Sequence, residues 1–121
     1  EYALVHYLCA PKWGGTAFYR HRSTKIERIE GQNERDFQQT LGREATTHGL
    51  PVAGYINGDT DLFEQIGVVD ALFNRAVIYP ASLLHSGAIA PQQVQRMCSI
   101  NEMRLTITSH FQVTLCETVN N

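Results

Sequence analysis

The sequence predicts a mainly β protein, a sandwich or barrel of about six or seven short strands with one helix set among them. Three observations carry that expectation. Residues 2–9 (YALVHYLC) and 103–115 (MRLTITSHFQVTL) are rich in aromatic and branched side chains, and the second alternates over most of its length. Glycine, proline and asparagine break the chain between such runs. Only the segment 31–47 spaces its apolar residues, Phe37, Leu41 and Ala45, every fourth position as an amphipathic helix does.

Taken in order, residues 2–9 read as a buried strand that the Pro11-Lys12-Trp13-Gly14-Gly15 loop ends. Residues 16–22 (TAFYRHR) alternate and suit a second strand. The helix should close near His48-Gly49, since glycine favours a helix C-terminus. Residues 51–57 suit a short extended piece, Asn57-Gly58-Asp59 a turn, and 62–69 a strand with Gly67 as a bulge. Residues 75–79 and 83–86 read as strands separated by Pro80. The polar stretch 91–101 suits a surface hairpin or helical turn, and 103–115 is the clearest strand.

A chain of 121 residues is expected to form a single domain, residues 1–121, around one core. Its apolar and charged fractions, 43% and 18%, are those of an ordinary globular protein, and a net charge of −2 gives no reason to expect nucleic acid or a phospholipid surface. Cys9, Cys98 and Cys116 have neither CxxC nor zinc-like spacing and read as free thiols of a reducing, cytoplasmic compartment. No apolar run approaches the ~20 residues of a membrane span, and residues 2–8 lack the basic lead and cleavage site of a signal peptide.

The stretch 74–108 concentrates the chemistry: Asn74-Arg75 before an apolar run, His85 in a β context, and Arg104-Leu105-Thr106-Ile107-Thr108. An iron(II) oxygenase site needs three protein ligands on one face of the metal, usually two histidines and a carboxylate. The distal carboxylate of a chelating 2-oxo acid needs a cation with fixed planar donors, hence arginine, often helped by a hydroxyl. Four features resemble the prolyl-hydroxylase-like branch of the Fe(II)/2-oxoglutarate dioxygenases. They are Tyr7-Leu8 followed by Gly14-Gly15, the Asn74-Arg75 pair, His85, and the Arg104–Thr108 strand. The phrases GGTAFYRH and LLHSG also resemble a bacterial group of that superfamily.

The resemblance implies a partial double-stranded β-helix (jelly-roll, cupin-like) with one helix insertion, covering only the C-terminal two-thirds of the fold. It implies Fe(II) and 2-oxoglutarate as cofactors. His85 would be a metal ligand, Arg104 the clamp on 2-oxoglutarate, and Tyr7 and Thr108 its supports. The interval from His85 to Arg104 exceeds the family's usual spacing; an extra hairpin within 91–101 would absorb it, and Arg96 is the rival in a polar, loop-like context. The family's proximal His-x-Asp/Glu motif belongs ahead of Tyr7, and residues 1–6 contain none, so the N-terminal strands of the full fold are expected to be absent.

Blander readings stand beside each assignment: His85 as a strand-end histidine, Arg104 as a surface strand residue, Tyr7 as a core aromatic with a satisfied hydroxyl. His6 should point to the face of its strand opposite Tyr7, and His110 should lie too far along its strand to share a site with Arg104. His21 and His48 read as surface residues, Trp13 as a loop pin, and Cys98 as an ordinary thiol. Two accounts follow: an oxygenase core acting on an unspecified small molecule or peptide, or a non-catalytic β module for binding or oligomerisation. Uncovered sheet edges predict a homodimer under either.

Overall fold

The computed structural model describes residues 1–49, 54–91 and 99–116. Two three-stranded antiparallel sheets make up its β structure. In the first, β1 (Tyr2–Tyr7) lies between β4 (Ala76–Pro80) and β6 (Thr106–Phe111). In the second, β2 (Thr16–His21) lies between β3 (Phe63–Val69) and β5 (His85–Gly87). Helix α1 (Glu34–His48) sits in the long excursion between β2 and β3.

Strand alternation decides which side chains enter the core. Ala3, Val5 and Tyr7 of β1 are buried while Leu4 and His6 between them are not. The register sets Ala3 opposite Tyr79 and Val5 opposite Val77, which turns those two residues inward as well. With Cys9 and Ala71 they form the core, against which Trp13, Phe18, Leu83 and Leu105 pack. Contacts between the sheets come from rings and hydroxyls: Tyr7 hydrogen-bonds Thr16 at 2.5 Å, and Phe18 meets Tyr79 edge-on at 5.0 Å.

The glycine pair marks where the chain crosses from one sheet to the other. Gly14 has φ +88°, and a Cβ there would lie 1.9 Å from the Ala88 carbonyl oxygen. A Cβ on Gly15 would lie 1.7 Å from the carbonyl oxygen of Val69. Gly67 serves differently. The β2–β3 register passes from Phe18–Gly67 to Tyr19–Gln65, leaving Ile66 as the extra residue of a bulge beside the expected glycine.

Helix α1 begins with Glu34 and Asp36 in its first turn, which suits the helix dipole, and stops before Gly49 at φ +82°. Of its apolar stripe only Phe37 is buried. The residue it packs against is His21, which the sequence suggests is a surface residue and which is fully buried. The flanking arginines point the other way along the strand, and α1 covers His21 from a distance in sequence that local patterning does not encode. The His21 ring lies 5.2 Å from Phe37 and 5.3 Å from Phe63. Its Nδ1 is 2.7 Å from the Thr24 hydroxyl and its Nε2 3.3 Å from Glu44 Oε2. Ser23 also donates to Glu44, so one carboxylate joins α1 to the end of β2.

Other expectations need correction. Pro80 is itself the last residue of β4, opposite Tyr2, and parts it from β5, a position an edge strand allows because no ladder N–H is needed there. After it, residues 81–84 make only an isolated bridge, Leu83 to Arg28, before β5 begins at His85. β6 ends at Phe111, opposite Tyr2, short of the expected residue 115. Residues 54–57 form no strand, while 51–53 and 92–98, with most of the expected hairpin and both Arg96 and Cys98, lie outside the described residues. Cys9 and Cys116 are free thiols. Among the described residues no helix is long and apolar enough to cross a membrane.

Two measurements check this account. Gly15→Ala should cost about 3 kcal/mol or more, because backbone must move to admit the methyl group. Gly67→Ala, with open space around it, should stay within about 0.5 kcal/mol in thermal unfolding. The Glu44 carboxyl is held below its ordinary value first by the Ser23 hydroxyl, against the opposing effect of burial, with His21 and His48 adding to the lowering. A depressed carboxyl contributes stability that is complete above the ordinary carboxylate range and is lost as pH falls through its lowered value. Glu44→Gln should therefore be less stable than wild type at neutral pH, with the gap closing in acid; a pH-independent gap would contradict the tether.

Candidate functional site

Arg104 lies just before β6, where Leu8 N–H donates to the Leu105 carbonyl at 2.9 Å and holds this segment beside the end of β1. Its Nε donates to the Gly14 carbonyl at 2.9 Å and its Nη2 to the Gly15 carbonyl at 3.1 Å. The guanidinium carbon stands 6.0 Å from the centre of the Tyr7 ring. The same two residues are those whose missing Cβ lets the backbone pass Ala88 and Val69. The glycine pair and the arginine, read from the sequence as separate features, thus form one unit.

Tyr79 joins this cluster. Its ring meets His85 at 4.8 Å and Phe18 at 5.0 Å. Burial pushes its phenol above the ordinary tyrosine value; Tyr7 adds to the rise and the positive charge of Arg104 opposes it. Tyr79 is only 6% exposed; its hydroxyl bonds no other described residue, and among those residues no fully buried side-chain oxygen or nitrogen lacks a partner. No reading of the sequence singled it out. The available signal was its place two residues after Val77 on a strand facing β1, which puts both on the Tyr7 side.

The sequence-derived residues separate accordingly. Tyr7, Arg104 and His85 gather around Tyr79. Thr108 does not join them: it sits opposite Val5 on β6, exposed, and the hydroxyl beside Tyr7 belongs to Thr16. His6 lies on the other face of β1 and bonds Asn74 at 2.9 Å, and His110 pairs with Glu1 at 3.6 Å. Asn74, at φ +67°, donates its N–H to the Tyr7 carbonyl, which ties the Asn74-Arg75 pair to the end of β1.

His85 is exposed. Its Nδ1 donates to the Leu83 carbonyl at 2.6 Å, which leaves Nε2 with its lone pair and no partner among the described residues. A backbone carbonyl behind one ring nitrogen is the usual support of a metal-binding imidazole. The remaining donors do not follow: among the described residues no three His, Cys, Asp or Glu side chains cluster as a metal ion requires.

His85 and Ser86 also border an open cleft of about 1130 Å³ between α1, the segment 54–63 and the second sheet. Tyr19 lines it, donating its hydroxyl to the Ile56 carbonyl at 3.3 Å. Burial raises the Tyr19 phenol most, a backbone hydrogen bond at Gly58 opposes this, and Asp59 adds to the rise.

The two central hydroxyls should respond differently to removal. Tyr7→Phe deprives the buried Thr16 hydroxyl of its partner and should cost about 1 kcal/mol in denaturant unfolding. Tyr79→Phe removes a hydroxyl with no partner among the described residues and should be neutral within about 0.5 kcal/mol. Equal costs would mean that the Tyr79 hydroxyl is satisfied.

A family model described as a family of unknown function (DUF6445) matches residues 1–111, and the chain belongs to that family. No curated protein and no solved structure matches the chain.

Proposed function

We propose that this member of the DUF6445 family carries the 2-oxo-acid-binding side of an Fe(II)/2-oxoglutarate oxygenase-type site, on a partial double-stranded β-helix. One observation carries the reading. The Arg104 guanidinium is oriented by the Gly14 and Gly15 carbonyls and stands beside the Tyr7 ring and near Tyr79. A planar cation with a donor left over, next to a phenol, is what a carboxylate needs. Strand placement supports it: β1, β4 and β6 fall in one sheet and β2, β3 and β5 in the other, an interleaving that a double-stranded β-helix requires. His85 supports it through its fixed tautomer.

The iron half does not fit what is present, since His85 is without companions among the described residues. No metal-dependent step is therefore assigned to these side chains. The reading concerns recognition: Arg104 neutralises a carboxylate, while Tyr79 and the Tyr7–Thr16 pair offer hydroxyl groups to it.

A second reading, a non-catalytic β module that assembles with a second copy of itself, is favoured by one surface. Tyr2, Ile78, Ile107 and Phe111 are exposed, and the register puts them together on the outer face of the first sheet. β6 pairs only with β1, and an open edge beside an apolar face invites another chain. A monodisperse monomer in light scattering would remove this reading.

For the first reading, 2-oxoglutarate binding measured by calorimetry should be lost in Arg104→Ala with the fold intact; unchanged binding refutes the clamp. An anaerobic titration with iron(II) and 2-oxoglutarate should give a visible charge-transfer band only where a metal ligand set is completed, and His85→Ala should remove that band. Persistence of the band in His85→Ala would refute the ligand assignment.

A further inference from the structure

Helix α1 does not close on the sheet beneath it. Phe37 and Glu44 fix it on the His21 side, whereas Leu41, Gly42 and Ala45 form the wall of the open cleft. A helix laid on a sheet normally buries its whole apolar stripe. Here half of the stripe faces Tyr19, Phe63 and Leu84 across a gap large enough for a small molecule. Apolar walls left in water recover the hydrophobic gain only when an apolar body fills the space between them.

Among the described residues Asp61 is the one carboxylate lining the cleft, with His48 and His85. Arg22 is already taken by Asp59 and by the Thr60 carbonyl. Asp61, an exposed residue, lines the cleft with no hydrogen bond or ion pair among the described residues, and none of the described lining residues is a lysine or arginine. A carboxylate at the edge of an apolar cleft favours a cation over an anionic group. At the edge of the same cleft stands His85, its Nε2 free.

We infer that this cleft binds the acceptor substrate of the proposed site, a small ligand with an aromatic or branched apolar body and a basic nitrogen set against Asp61. The word acceptor rests on the oxygenase reading; the ligand chemistry rests on the cleft alone. The position of the cleft beside His85 brings such a ligand to the imidazole edge, and Gly42 leaves room for its body, since a Cβ there meets nothing within 4 Å.

The test uses three matched probes on the full chain without metal or 2-oxoglutarate: 4-phenylbutylamine, 4-phenylbutanol and 4-phenylbutyrate, followed by calorimetry and by the tyrosine ring resonances. The amine should bind about fivefold more tightly than the alcohol, with the carboxylate weakest. Asp61→Asn should erase the preference for the amine while keeping binding of the alcohol. Gly42→Phe, which replaces a helical glycine and fills open space, should abolish binding of all three with the thermal transition retained. Equal affinity for amine and carboxylate, no binding at millimolar amine, or full binding in Gly42→Phe would each overturn the inference. Amine binding without 2-oxoglutarate binding would leave the cleft standing and remove the oxygenase reading; the reverse would remove the cleft assignment alone.

Discussion

The bond pair from Arg104 to the carbonyls of Gly14 and Gly15 is the constraint on which the rest is arranged. These glycines lie where the chain leaves β1 for β2, in a passage too narrow for any Cβ. The Gly15 carbonyl also accepts from the Ala88 N–H at 3.0 Å, so Arg104 adds a second donor there and bonds the Gly14 carbonyl as well, reaching both from just before β6, the other end of the sequence. The ladder with β1 holds β6 in place, and the two bonds fix the position of the Arg104 charge at the crossing.

That fixed charge organises its neighbours. Tyr7 lies under the guanidinium and reaches Thr16 across the gap between the sheets. Tyr79 lies near enough to feel the charge and touches His85. A cation, two phenols and an imidazole are therefore gathered from β1, β4, β5 and the segment before β6, although sequence separates them widely. The same packing brings a second phenol, Tyr79, up to the cation, and that is where the cluster offers chemistry to a ligand.

A second anchor works independently on the opposite face of the second sheet. His21, Ser23 and Glu44 tie α1 down along one side. The other side stays open and makes the cleft. Stability and access are thus divided between two sides of one helix, and His85 lies at the border where the cleft meets the cluster.

Much of this was legible in the chain. Alternation in residues 2–7 set the inward face of β1, the glycine after His48 set the end of α1, and Gly67 marked the bulge, because each depends on backbone geometry and local patterning. Of the proposed site, Tyr7, Arg104 and His85 were readable by their resemblance to a motif, whereas Tyr79 and Thr16 were not. Neither stands in a motif, and each gains its place from register or from crossing between sheets. His21 was misread because its cover comes from a helix that patterning on β2 does not announce. The sequence by itself determined strand faces, helix limits and the glycine crossing, all consequences of side-chain period and backbone sterics. The tertiary structure alone decided which distant hydroxyls, rings and charges meet, because those meetings depend on the long-range pairing of strands and on a helix that closes along one side only.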